Sequence, residues 1–219
     1  MIKNPFRLYQ AILIFLGIAV WVVAASGAIE HFRWHLKFSS GLLIHSGIII
    51  ISLASIAVII KSKNILTISR TINFKNTAWG YYLIAIVLAV IIWFADFWLQ
   101  LFFFLDDGKK DGISLQTEIN HFGILSIVIA SCLLAPIAEE ILFRGILLKG
   151  LLEKFNPFTA IIISALIFAA IHFSSEDFIS LFVAAFGYAL LTIKAQSILP
   201  AILAHMINNS VTIYYLMTL

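Results

Sequence analysis

Charged residues are scarce in this chain of 219 residues: 11% are Asp, Glu, Lys or Arg, while 62% are hydrophobic. Soluble domains are about one quarter charged and about half apolar. Together with a mean hydropathy of +1.06, the shortage of charge excludes an ordinary soluble domain. It predicts an all-α, polytopic membrane protein that forms a single membrane domain over residues 1–219.

Cysteine is nearly absent as well. The chain has one, Cys132, and a single cysteine cannot form an internal disulfide. We interpret it as a small packing residue, because a nucleophilic thiolate needs an activating base nearby. The sequence also has no internal half-repeat of the kind that builds many transporters. It lacks the H-E-x-x-H motif of zinc peptidases, and the polar stretch 106–112 does not have EF-hand spacing.

Long hydrophobic runs predict about seven transmembrane helices, with eight as the alternative. Residues 1–112 supply N-terminal helices of unassigned role, and residues 113–219 form the core that carries the motifs below. One helical pattern covers 114–155, and about forty residues would measure about 60 Å, twice a hydrocarbon core of about 30 Å. We therefore expect a kink at Pro136 and an end at Asn156-Pro157. The predicted spans are 10–29, 41–60, 77–101, 114–155, 158–173, 178–192 and 198–219.

Basic residues indicate the orientation. With the N-terminus in the cytoplasm, nine Lys and Arg lie inside and four outside, leaving out Arg144, which the positive-inside rule favours. The net charge of +3 is therefore assigned to topology, and no nucleic-acid partner is expected. This topology places His172 near the outer end of its span and Glu139 in the cytoplasmic half. The two can meet if the fifth helix is short or sunken, or if the span boundaries differ from those predicted. The inside set is Lys3, Arg7, Lys61, Lys63, Arg70, Lys75, Lys149, Lys154 and Lys194; the outside set is Arg33, Lys37, Lys109 and Lys110.

Against this apolar background, residues 135–147 (APIAEEILFRGIL) contain two adjacent carboxylates and an arginine. A charge at membrane depth costs about 2.5–3.5 kcal/mol on insertion scales, so it is retained mainly where function needs it. On a helix, Glu140 and Arg144 lie four residues apart on one face, and we predict that they form an ion pair. Glu139 lies about 100° round the helix and is free to face elsewhere.

Two further polar motifs follow along the chain. Phe168 precedes His172 by four residues, and His205 precedes Asn209 by four, so each pair shares one helix face. Each motif alone is compatible with a structural role. Together with the glutamates they form a polar cluster over three helices, and we expect Glu139, His172, His205 and Asn209 to line one cavity.

These residue types suit the hydrolysis of an amide bond by water. Glu139 can act as a general base, with His172 as the partner that orients the water. His205 and Asn209 offer N–H donors one turn apart, which can stabilise an oxyanion. The chemistry then needs no serine or cysteine nucleophile.

A metal site is the alternative chemistry. Zinc takes histidine and carboxylate ligands, so Glu139, His172 and His205 could bind it. Asparagine is a poor zinc ligand and H-E-x-x-H is missing, so hydrolysis without a cofactor is favoured over zinc.

The motifs E-E-x-x-x-R, F-x-x-x-H and H-x-x-x-N occur in this order within residues 135–210. In this combination the chain resembles the CPBP family of intramembrane proteases, also called the CAAX-protease and Abi family. The resemblance implies a helical membrane protease with a site open to the cytosol, a membrane-associated peptide or protein as substrate, and a glutamate-type mechanism. It implies catalytic roles for Glu139, His172 and His205, with Asn209 in support, and supporting roles for Glu140, Arg144 and Phe168.

Two other functions are weighed against a protease. A catalytically silent bacteriocin-immunity or membrane-scaffolding protein of the same family would be free to lose Glu139 or a histidine, and both kinds of residue are present. A transporter could use buried carboxylates as a proton relay, but the half-repeat is missing. We therefore expect a multi-pass protease of a bacterial cell membrane, in contact with lipid.

Overall fold

The computed structural model describes residues 7–32, 40–104, 109–172, 174 and 176–219. Within these ranges all regular secondary structure is helical, which confirms the all-α class. A π-helical turn, Gln100–Phe104, extends the fourth helix. The described ranges contain nine helices: α1 (Leu8–Phe32), α2 (Ser40–Ile59), α3 (Ile65–Thr71), α4 (Gly80–Leu99), α5 (Lys109–Phe122), α6 (Ile124–Leu151), α7 (Pro157–Ala170), α8 (Phe178–Ala195) and α9 (Leu199–Leu216).

Five of these helices, α1, α2, α4, α6 and α8, are long and apolar enough to cross a membrane. They confirm a multi-pass membrane protein, but two of the seven predicted spans differ from this pattern. The 14 residues of α7 measure about 21 Å, less than a hydrocarbon core of about 30 Å. The 18 residues of α9 include His205, Asn208 and Asn209, which lower its hydropathy. Both helices belong to the bundle, but α7 is shorter and α9 is more polar than the five candidate spans.

The long pattern over 114–155 breaks at Gly123 instead of kinking at Pro136. Gly123 has φ of +82° and separates α5 from α6, a backbone conformation that glycine adopts without a steric penalty. Helical structure continues through Pro136, preceded by a wide π-helical turn, Ile129–Leu134. A proline lacks an N–H and crowds the carbonyl four residues earlier, so a locally widened helix can accommodate it without a break.

The predicted end of this segment at Asn156-Pro157 is confirmed. α6 ends at Leu151, and the Asn156 side chain accepts a hydrogen bond from the Thr159 N–H at 3.0 Å. Asn at the N-cap and Pro at the first helical position are a standard start for a helix.

Helix α6 lies at the centre of the bundle and packs against α1, α2, α7 and α9. Its residues Ala138, Phe143 and Ile146 are fully buried in the larger apolar core. A second core joins α4, α8 and α9 through small residues such as Ala85 and Ala204, which let helix backbones approach closely. The charged motif of α6 is therefore enclosed by other helices.

Loop contacts define two ends of the bundle. At one end the Ile198 N–H donates to the Asn73 carbonyl at 3.0 Å, and the Leu8 N–H donates to the Glu153 carboxylate at 2.6 Å. We call this the basic end; its described cations are Arg7, Lys61, Lys63, Arg70, Lys75, Lys149, Lys154 and Lys194. We call the other the acidic end; its carboxylates are Asp96, Asp111, Glu118, Glu176 and Asp177.

Some residues used in the sequence predictions lie outside the described residues: Lys3, Arg33, Lys37 and positions 106–108 of the polar stretch.

Candidate active site

The predicted ion pair on α6 is confirmed. Arg144 Nη1 lies 2.9 Å from Glu140 Oε1, and the two side chains are 1% and 0% exposed. Arg144 Nη2 also donates a hydrogen bond to the Ala185 carbonyl at 2.9 Å, which ties α6 to α8. The guanidinium therefore neutralises Glu140 and joins two helices.

Aromatic rings surround this arginine. The Arg144 Cζ atom lies 5.0 Å from the ring centroid of Phe168 and 5.5 Å from that of Tyr188. Cation–π contacts of this kind gain strength where water is excluded. Phe168, which the motif predicted as a supporting residue, is thus placed in contact with the buried charge.

His205 lies between the two glutamates. Its Nδ1 atom is 3.0 Å from Glu140 Oε1, and its Nε2 atom is 3.8 Å from Glu139 Oε2. Because a carboxylate accepts hydrogen bonds, the contact with Glu140 assigns the proton of a neutral ring to Nδ1 and leaves a lone pair on Nε2. Glu139 is 20% exposed and His205 8%, so the pair lies at the edge of the buried cluster.

The sequence predicts His172 as the partner that orients the water for Glu139 and His205 as an oxyanion donor. In the structure, the imidazole of His205 lies beside Glu139, a contact that the motifs did not predict. The physical reason lies in the helix packing: α9 runs along α6, while His172 follows the end of the short helix α7.

His172 nevertheless lies close to the cluster. Its Nδ1 atom is 2.7 Å from the Phe168 carbonyl oxygen, and its ring centroid is 4.7 Å from that of Phe168. The same phenylalanine ring is 6.1 Å from the His205 ring. With 14 residues, α7 is short, which is one of the conditions under which the predicted topology lets His172 approach the other motifs. His172 is exposed.

Asn209, four residues after His205 on α9, lines a cavity of about 580 Å³. Its Nδ2 atom donates to the Ser131 carbonyl at 2.9 Å, and both residues line the cavity together with Asp96, Glu118 and Asp177. The other three predicted residues, Glu139, His172 and His205, are not among the residues that line this cavity. The cavity lies at the acidic end of the bundle.

The metal alternative needs a third ligand beside Glu139 and His205. Glu139 and His205 face each other, but among the described residues no group of three His, Cys, Asp or Glu side chains is placed to hold one metal ion. His172 is therefore not placed to bind the same ion as Glu139 and His205. The residues present do not fit a three-ligand zinc site.

Three contacts of the site carry no sequence signal. The Ala185 carbonyl and the Ser131 carbonyl are backbone groups, which no motif specifies. Tyr188 stacks on His205 with ring centroids 5.1 Å apart and an angle of 23° between the planes. An aromatic residue in an apolar helix is ordinary, so its role becomes visible only from the packing of α8 against α9.

Comparisons with known proteins indicate the class of protein to which this chain is similar. Residues 121–211, which contain all three motifs, match the family model described as "Type II CAAX prenyl endopeptidase Rce1-like". A Bacillus subtilis (strain 168) protein named "Putative membrane peptidase YdiL" is 33% identical over 106 residues, 45% of this chain and 43% of that protein. The match thus spans less than half of that relative's length. No solved structure matches the chain. These matches confirm the resemblance to CAAX-type membrane proteases of the CPBP family that the motifs predict.

Proposed function

We propose that the protein is an intramembrane endopeptidase that hydrolyses a peptide bond of a membrane-associated protein or peptide. The observation that carries this proposal is the His205 imidazole held between two carboxylates in an apolar bundle. The Glu140–Arg144 pair alone would satisfy a structural role. Glu139 adds a second carboxylate that an ion pair does not need, and charge at this depth is retained mainly for function.

His205 and Glu139 are arranged to move a proton. The Nδ1 side of His205 is occupied by Glu140, so Nε2 is the nitrogen that can exchange a proton on the Glu139 side. Glu139 takes a proton from a water molecule lying beside both groups, and the hydroxide attacks the carbonyl carbon of the peptide bond. The C–N bond then breaks, and the proton passes from Glu139 or from His205 Nε2 to the leaving amine.

Asn209 and His172 complete the proposed reaction centre. Asn209 has two Nδ2 hydrogens, and one of them is used on the Ser131 carbonyl. The other can donate to the oxyanion, a contribution worth about 10²–10³ in rate. The hydrogen bond of His172 to the Phe168 carbonyl leaves its Nε2 atom as an acceptor for the attacking water.

The proposed chemistry is independent of a metal. Its support is the donor set: the described residues gather no third ligand beside Glu139 and His205. We therefore assign each step to the side chains themselves.

The test is peptidase activity of the purified protein in detergent, on a panel of quenched fluorescent peptides with and without an S-farnesyl cysteine. Glu139→Gln keeps the shape but removes the base, so kcat/KM should fall by at least about 10²–10⁴ while the melting temperature is unchanged. The matched control is Glu153→Gln, an exposed residue at the basic end, which should remain active. An active Glu139→Gln protein would overturn the proposal.

A second arm separates the two chemistries. Incubation with EDTA or 1,10-phenanthroline should leave activity unchanged. Loss of activity that zinc alone restores would contradict the metal-independent mechanism, because removing a catalytic ion removes its Lewis acidity and its activated water. Glu139 and the histidines would then be reassigned as ligands.

A further inference from the structure

The orientation of the His205 ring is set by neighbouring side chains that exchange no proton in the proposed reaction. The hydrogen bond from Nδ1 to Glu140 fixes one point of the ring. A ring held at one point can still rotate, and such a rotation would swing Nε2 away from Glu139. The Nε2–Oε2 distance is already 3.8 Å, so little further displacement can be tolerated.

Tyr188 contacts the face of this ring. Its ring stacks on His205 at 5.1 Å and 23°, and Phe168 approaches the same imidazole at 6.1 Å and 66°. Tyr188 is 1% exposed, so its ring is held by the packing of α8. Of the two carboxylates near the imidazole, Glu140 contacts Nδ1 at 3.0 Å, while Glu139 lies 3.8 Å from Nε2.

The hydroxyl of Tyr188 is buried and has no hydrogen-bond partner among the described residues. A buried hydroxyl without a partner costs free energy instead of contributing it. Any favourable contribution of Tyr188 at this position therefore comes from its aromatic ring and not from its hydroxyl.

We propose that Tyr188 is a positioning residue, whose ring holds the imidazole of His205 in the plane that directs Nε2 to Glu139. The inference rests on the proposed function for its kinetic consequence, but the ring orientation itself can be measured without a substrate. A misplacement of about 1 Å in a reaction centre can cost about 100-fold in rate.

The kinetic test compares two substitutions at Tyr188 on the most rapidly cleaved peptide of the panel. Tyr188→Leu removes the stacked ring, and kcat should fall about 10- to 100-fold with KM nearly unchanged. Tyr188→Phe keeps the ring, and kcat should return to within about threefold of the original protein. Phe186→Leu is the matched control on the same helix: its ring contacts Phe158 and Phe182, away from the site, and kcat should be unchanged.

A spectroscopic measurement tests the same idea without activity. In protein labelled with ¹⁵N-histidine, the Nδ1–H signal of His205 is assigned by its loss in His205→Ala. We expect this signal to persist in Tyr188→Phe and Phe186→Leu and to broaden or disappear in Tyr188→Leu. An unchanged signal and kcat in Tyr188→Leu, or equal losses in the Leu and Phe variants, would overturn the inference. An active Glu139→Gln protein would instead overturn the proposed function and leave this spectroscopic result standing.

Discussion

Arg144 balances the buried charge of the site. It is 1% exposed and contacts Glu140, the Ala185 carbonyl and the rings of Phe168 and Tyr188. Removing one partner of a buried pair leaves an uncompensated charge, which is more costly than losing the pair as a whole. Without the guanidinium, Glu140 would keep only the contact with His205.

We therefore expect Arg144→Ala to reduce the amount of folded protein as well as activity. The loss of stability should be about 3–5 kcal/mol, typical of a broken buried pair. Size-exclusion profiles and melting curves of the detergent-solubilised protein measure it. Arg70→Ala, at an exposed position of the basic end, is the control and should behave like the original protein. A monodisperse Arg144→Ala protein with an unchanged melting temperature would show that the pair is dispensable.

At the scale of single helices, sequence reasoning succeeds where the contact is local. Glu140 and Arg144 were paired from their spacing on one helix, and the structure confirms that pair. The approach of His205 to Glu139 was missed, because the two residues lie on different helices and hydropathy does not encode how helices pack. The contacts of Arg144 with Ala185 and of Tyr188 with His205 were missed for the same reason.

The boundary between α5 and α6 shows a second limit. Proline is the stronger helix breaker by intrinsic propensity, so Pro136 was expected to interrupt the pattern. The π-helical turn before it absorbs the proline, and the break falls at Gly123 because glycine alone reaches its φ of +82° without strain.

This assignment predicts the effect of Gly123→Ala. A Cβ at Gly123 would meet no atom within 4 Å, so its cost comes from the backbone conformation, about 1–3 kcal/mol. Melting curves in detergent should show lower stability. In Gly17→Ala the new Cβ also meets nothing within 4 Å, but this position lies inside α1, where alanine is favoured by about 0.5–1 kcal/mol. If the two variants melt alike, the conformation of Gly123 does not set the boundary.

At the scale of the whole molecule, the two ends of the bundle carry opposite charge. The basic end contains eight described Lys and Arg residues, and the cavity that reaches Asn209 lies at the acidic end. From the positive-inside rule we expect the basic end to lie in the cytoplasm. The family resemblance, in contrast, implies a site open to the cytosol. If substrate enters by the cavity at Asn209, these two expectations cannot both hold.

Cysteine labelling in intact cells decides the orientation. Cys132 is buried, and Cys132→Ala supplies a background without thiols. Lys194→Cys reports on the basic end and Glu176→Cys on the acidic end, and both positions are exposed. Because charge asymmetry in short loops dominates insertion, we expect a membrane-impermeant maleimide to label Glu176→Cys and to leave Lys194→Cys unlabelled until the cells are opened. That result would place the cavity at Asn209 on the outer side, so a peptide added outside the cells should reach it. The reverse labelling pattern would place the acidic cavity in the cytoplasm and contradict the orientation drawn from the basic residues.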